Sequence, residues 1–213
     1  MNILLIAPSY SKGINSDYFP LGLSYIASYI NNYMFKVDGL NLNHFEYSSH
    51  YNVINNYIKI KKYNIIGITG ISTSYNEISR LLHYIRSIDT SPKIVLGGGI
   101  TSCEGFEVMS HLRPDFMVVG EGEIIFKNLL EAIVNKNNLS EIRGIWYWKN
   151  NHPHYTGRGQ TVQNLDTLSF PDLDSFDLFT HLSIQQSTQN SYHLYQAGDI
   201  RSVPILASRS CPY

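Results

Sequence analysis

The sequence predicts an α/β protein: an open five-stranded parallel sheet with helices on both faces, a Rossmann-like arrangement. Short, uninterrupted apolar runs alternate with segments whose apolar residues recur at helical spacing. The runs are apolar at every position, as in strands buried on both sides, rather than at every second position. Most end at proline or glycine, which punctuate a strand-to-helix connection.

Ile3 to Ala7 is the first run, closed by Pro8, and a helical stretch from Leu21 to Asn32 follows Pro20. Phe35 to Leu42 reads as a second, weaker strand and Val53 to Lys61 as a short helix. Ile65 to Thr69 is the third strand. Ile78, Leu81, Leu82, Ile85 and Ile88 then trace one apolar helix face. Ile94 to Leu96 leads into Gly97-Gly98-Gly99, and Phe116 to Val119 into Gly120. A helix carrying Phe126, Leu129, Leu130, Ile133 and Val134 closes the series. Right-handed crossovers put the carboxyl ends of such strands along one edge, where ligands of these sheets bind.

The texture then changes. Residues 143–149 and 152–155, separated by Asn150-Asn151, read as a small hairpin. The stretch around Phe170-Pro171-Asp172-Leu173-Asp174 reads as a linker. Residues 181–198 are polar and weakly patterned, and Val203 to Ser208 reads as a new strand that opens a further unit. The expected division is therefore 1–138, 139–202 and 203–213. No internal repeat is present.

Composition narrows the function. Hydrophobic residues make up 43% and charged residues 15%, enough apolar material for a core and too little charge for a disordered chain. The 16 tyrosines read as packing material. A net charge of −1 without a basic stripe gives no nucleic-acid surface. No run reaches the roughly 18–20 apolar residues of a membrane span, and Met1 to Ile6 lacks the basic flank of a signal peptide. Two cysteines, Cys103 and Cys211, make no disulfide framework. A cytoplasmic protein without nucleic-acid or membrane partners is the expectation.

Three motifs lie at the expected ligand edge. At Gly97-Gly98-Gly99 the absence of side chains lets a bulky ligand approach the backbone. Gly120-Glu121-Gly122-Glu123 opens a helix, whose free N–H groups can hold polar ligand groups and whose dipole suits acidic residues. Ser72-Thr73-Ser74 can hydrogen-bond a ligand or cap the next helix. The loop after the first strand lacks G-x-G-x-x-G and G-x-x-x-x-G-K-[ST], which disfavours nicotinamide and nucleoside-triphosphate sites. His152-Pro153-His154 has no acidic or cysteine partner nearby and reads as a solvated turn. His44 reads as a loop residue, and Cys103 as a helix-start thiol or small core residue.

Taken in order, Ala7-Pro8, Pro20-Leu21-Gly22-Leu23, Gly97-Gly98-Gly99, Asp115 with Val118-Val119-Gly120-Glu121-Gly122-Glu123, and Ser208-Arg209-Ser210-Cys211-Pro212-Tyr213 resemble the N-terminal half of cobalamin-dependent radical-SAM (S-adenosylmethionine) enzymes. The resemblance covers residues 1 to about 135 and again 203–213. It implies cobalamin across the carboxyl edge of the sheet, its nucleotide tail in a slot lined by the glycine loops. The implied contacts are Pro8, Ser9, Pro20, Gly22, Ser72, Ser74, Gly97, Gly98, Gly99, Gly120, Glu121 and Gly122. None of the eight histidines follows an aspartate at the D-x-H spacing that supplies a cobalt ligand in other cobalamin modules. Base-off cobalamin without a protein histidine is implied.

In the family the last segment continues as C-x-x-x-C-x-x-C, whose cysteines hold a [4Fe–4S] cluster with S-adenosylmethionine on the fourth iron. Here Cys211 is the first ligand, Ser210 stands where glycine is usual, and the other two cysteines are not among the 213 residues. Residues 203–213 would then begin a truncated radical-SAM barrel, and this chain alone is expected to be catalytically incompetent, because thiolates hold such clusters. The implied reaction is methyl transfer to a small-molecule or peptide substrate, with a 5′-deoxyadenosyl radical abstracting hydrogen and methylcobalamin supplying the methyl group. A stand-alone cobalamin carrier, sensor or remnant without catalysis, and a degenerate Rossmann-like interaction module that binds no cofactor, are the alternatives.

Overall fold

The computed structural model describes residues 1–14, 18–33, 35–102, 104–187, 202–206 and 208–209. Its strands are β1 (Asn2–Ala7), β2 (Lys36–Asn41), β3 (Ile65–Thr69), β4 (Lys93–Gly97), β5 (Phe116–Val118), β6 (Ile145–Lys149) and β7 (His152–Tyr155). The helices are α1 (Leu21–Asn31), α2 (His50–Ile60), α3 (Tyr75–Ile88), α4 (Gly105–Leu112), α5 (Gly122–Asn135) and α6 (Leu178–Ser187). Among the described residues no helix is long and apolar enough to cross a membrane.

One sheet runs β2-β1-β3-β4-β5-β6-β7. The first five strands are parallel, as the apolar runs predict. Alternation then sorts each strand between two cores. Leu4, Ile6, Ile66, Ile68, Ile94 and Leu96 point to the face covered by α2, α3 and α4. Ile3, Leu5, Ala7, Ile65, Val95 and Val118 point to the face covered by α1 and α5. Chain order reverses between β1 and β3, the switch point at which doubly wound sheets leave a crevice outside the strand ends.

The structure alters several parts of the sequence reading. The hairpin extends the sheet, because β6 pairs antiparallel with β5 and carries β7 outward. His152, Pro153 and His154 therefore lie in strand β7 rather than in a solvated turn, with the His154 ring against Tyr147. Helix α4, not anticipated, buries Val108, Met109 and Leu112.

The segment read as a linker is anchored. Asp172 N–H donates to Ser24 O at 2.9 Å, the Asp172 carboxylate accepts from Ser175, and Phe176 is 1% exposed in the second core. A β-carbon at Gly39 would collide with the Ser175 carbonyl, so that strand position has room only for glycine. Within 181–198, residues up to Ser187 belong to α6, which follows directly from this anchor.

Of the expected strand from Val203 to Ser208, residues 203–206 and 208 have no strand pairing among the described residues. Cys103, Ser210, Cys211, Pro212 and Tyr213 lie outside the described residues.

Candidate functional site

The carboxyl ends of β1, β3, β4 and β5 open onto a cavity of about 550 Å³ between the sheet and helices α1 and α5. Its walls are apolar, formed by Leu5, Ile26, Val95, Val118 and Phe126, and its rim is glycine. At Gly98, φ of 82° is costly for any residue with a side chain, and a β-carbon there would also stand 2.6 Å from Thr69 Oγ1. Gly120 turns the chain into α5 with φ of 94°. At Gly97 and Gly22 an added β-carbon would meet no protein atom within 4 Å. Gly97 therefore leaves open space facing the cavity rather than relieving a clash.

Of the residues singled out in the sequence, Gly22, Gly97, Gly98, Gly120, Glu121 and Gly122 converge on this cavity. Glu121 also has a structural task, since its carboxylate accepts from Val162 N–H and ties residues 156–163 to the start of α5. Pro8, Ser9, Pro20, Ser72, Ser74 and Gly99 lie outside the cavity lining. Pro8 O accepts from Asn43 Nδ2 at 3.0 Å, and Pro20 O from Ser24 N at 3.0 Å. Ser9 and Ser74 instead line a neighbouring cleft with Lys12, Tyr47, Glu77 and Arg80, because the turn before α3 leads toward the opposite face of the sheet. Ser74 makes no cap bond, and its buried Oγ has no hydrogen-bond partner among the described residues. Ser72 and Gly99 are exposed in short turns.

Gly67 escapes notice in the sequence because it sits inside an apolar run. A glycine within a strand is itself a signal of close approach, and Gly67 lines the cavity. Tyr18, at the end of the first loop, also lines it, with its ring edge-on to Tyr10 at 4.5 Å. Burial first, and Tyr10 second, push the Tyr18 phenol well above its usual range, so it stays protonated.

A family profile described as the B12 binding domain matches residues 12–130, more than half of the chain. The chain belongs to the B12-binding domain family. It is 24% identical to an uncharacterised methyltransferase of Pyrococcus horikoshii, over the whole chain and 44% of that protein. It is 25% identical to the anaerobic magnesium-protoporphyrin IX monomethyl ester cyclase of Synechocystis, over 70% of the chain and 27% of that protein. The chain thus spans less than half the length of these relatives.

Among solved structures, the radical S-adenosylmethionine methyltransferase TsrM from Kitasatospora setae, with cobalamin and a [4Fe-4S] cluster bound, superposes with a TM-score of 0.63 at 19% identity. That match covers 73% of this chain and 30% of TsrM. The cobalamin-dependent S-adenosylmethionine radical enzyme OxsB, with aqua-cobalamin bound, superposes with a TM-score of 0.66 at 18% identity, over 81% of this chain and 24% of OxsB. The fold implied by the sequence resemblance is the fold found.

The residues present fit cobalamin. A side-chain-free rim at Gly22, Gly97 and Gly120 gives a bulky cofactor room, and apolar walls suit a flat aromatic base. Among the described residues no histidine lines the cavity. His44, read from sequence as a loop residue, is buried at the end of β2 and committed elsewhere. Asn41 Oδ1 accepts from the main-chain and side-chain nitrogens of Asn43, which turns Asn41 Nδ2 toward His44 Nε2 at 3.0 Å. Burial, then the neighbouring His181, lower the His44 pKa to about 4 against a partial pull from Asp177.

The remaining charges on the cavity are Glu121, Glu123 and Arg209. Glu123 is 3% exposed and receives Arg209 Nη2 at 2.6 Å, while the guanidinium lies 5.2 Å from the centre of the Tyr25 ring.

Proposed function

We propose that this chain is the cobalamin-binding part of a radical-SAM enzyme and that the reaction it serves is methyl transfer. The observation that carries this reading is the glycine-rimmed, apolar cavity at the switch-point edge of a B12-binding domain. The cavity takes the nucleotide tail and the strand ends carry the corrin ring.

Leu5, Val95, Val118 and Phe126 hold the base and exclude water. Gly98 and the free N–H groups that begin α5 at Gly122 face the polar parts of the tail. Pro8, Ser9, Pro20, Ser72, Ser74 and Gly99 belong to the loops beneath the ring. When bound, cobalamin supplies a cobalt-centred methyl carrier; the protein supplies binding, orientation and a dry site. The cofactor is base-off without a histidine ligand, a reading supported by the histidine-free lining and by the Asn41 bond that occupies His44.

Methyl transfer rests on the names of the relatives, a methyltransferase of P. horikoshii and TsrM. Cys211 is assigned as the first thiolate of a [4Fe–4S] site that would bind S-adenosylmethionine only with two further cysteines beyond Tyr213; without them these 213 residues alone are catalytically incompetent. The unit division proposed is 1–138, 139–202 and 203–213, with the hairpin added to the first sheet. A small molecule or peptide is the substrate.

The test is direct. The purified chain is mixed with hydroxocobalamin and desalted, and its visible spectrum is recorded. Cobalamin bands that travel with the protein at near one equivalent support the reading; a colourless protein overturns it.

A further inference from the structure

Residues 202–206 and 208–209 are bound at two points. Ser202 exchanges two hydrogen bonds with the Gln185 amide of α6, at 3.0 and 3.1 Å. Seven residues later, Arg209 reaches α5 and α1 together, pairing with Glu123 and lying over Tyr25. Between these anchors Leu206 and Ser208 line the cavity. The segment therefore forms a wall of the cavity, and Arg209 bridges the two helices that flank it.

Neither charge is there cheaply. Glu123 is buried, and Arg209 has lost most of its water, so each depends on the other for compensation. Burial works against the Arg209 charge, and the Glu123 carboxylate outweighs it. An exposed pair would add little and fix nothing; a desolvated pair joining positions 86 apart in sequence fixes where the segment lies.

We propose that Glu123 and Arg209 form a latch that makes residues 202–206 and 208–209 part of the cofactor site, so that retention of the cobalamin nucleotide tail and docking of these residues depend on one ion pair. This rests on the function proposed above in one respect: that the tail occupies the cavity. By reciprocity, a latched segment slows loss of the tail, and a bound tail protects the segment.

The experiment uses the whole chain as wild type, Glu123→Gln, Arg209→Gln and the double variant. Hydrogen exchange on cofactor-free protein reads docking. Amides of residues 202–206 are expected to exchange at least tenfold faster in each variant, and unchanged exchange overturns the latch. Equilibrium titration with hydroxocobalamin and with dicyanocobinamide, which lacks the nucleotide tail, reads the coupling. Each single variant is expected to bind cobalamin about tenfold more weakly, the double variant no worse than either single one, and cobinamide within twofold of wild type throughout.

Equal losses for both corrinoids, or additive losses in the double variant, overturn the coupling. Arg209 lies outside both buried cores, so Arg209→Gln keeps the test valid if Glu123→Gln fails to fold. A wild-type chain that binds no cobalamin overturns the proposed function instead, while exchange still decides the latch.

Discussion

Gly67 on β3 stands beside Leu5 on β1 in the parallel register, and a β-carbon on Gly67 would lie 2.6 Å from Leu5 Cδ2. The Leu5 side chain fills the space that any larger residue at 67 would need. Both residues line the cavity.

Two glycines of the same site should therefore respond differently. Gly67→Ala overpacks the core against Leu5 and is expected to cost about 1–3 kcal/mol of stability. At Gly97 the β-carbon of a valine meets no protein atom within 4 Å, so the stability of Gly97→Val is expected to stay within about 0.5–1 kcal/mol of wild type, while its branched side chain, directed at the cavity, weakens cobalamin binding at least a hundredfold. Urea denaturation and a cobalamin titration on both variants check the contrast.

His44 gives the fold a pH dependence. Its folded pKa is about 4 against 6.5 in the unfolded chain, because protonation would place a charge in a buried site beside His181 and would break the bond accepted from Asn41. Between those values the unfolded chain binds the extra proton, so stability falls as pH drops from about 6.5 toward 4. Thermal melts across this window should show a shallower slope for His44→Gln than for wild type.

Asp115 belongs to the scaffold rather than the site. It lies at the amino end of β5, away from the cavity, where it accepts from Ile94 N–H and pairs with Lys93 and Arg86. Burial opposes its charge, but these partners prevail and hold its carboxyl below the usual 3.8. The stability it contributes is present above that unfolded value and is lost as pH falls through the lower folded one. Asp115→Asn is expected to cost about 1.5–3 kcal/mol at neutral pH, measured by denaturation, with cobalamin affinity corrected for folding unchanged.

The cobalt environment makes a separate prediction. If the proposed base-off, histidine-free binding holds, the electron paramagnetic resonance spectrum of the bound cobalt(II) form should lack the threefold nitrogen splitting. A resolved nitrogen triplet would show an axial nitrogen ligand and contradict the base-off reading.

Four of the five parallel strands were legible because burial on both faces leaves an apolar run, β2 less so because Lys36, Asp38 and Asn41 interrupt it, and Gly97, Gly98, Gly120 and Gly122 because they follow such runs. What lay beyond reading was long-range. Tyr147 and the tryptophans of β6 look like a free hairpin until β5 supplies their partner. Phe176 looks exposed in a polar stretch until Gly39 leaves room beneath it. Glu123 is fully accounted for by the helix dipole until Arg209 arrives from 86 residues away. Local periodicity carries no trace of such pairings, whereas Gly67, a glycine inside a strand, did leave a trace.

The central claim is that the cavity between α1 and α5 receives the cobalamin nucleotide tail. The most direct measurement is the ratio of dissociation constants for dicyanocobinamide and hydroxocobalamin in wild type and in Gly97→Val. The account predicts that wild type prefers cobalamin at least tenfold and that Gly97→Val removes the preference. A wild-type protein that binds both corrinoids equally, or a preference that survives the valine, would contradict it.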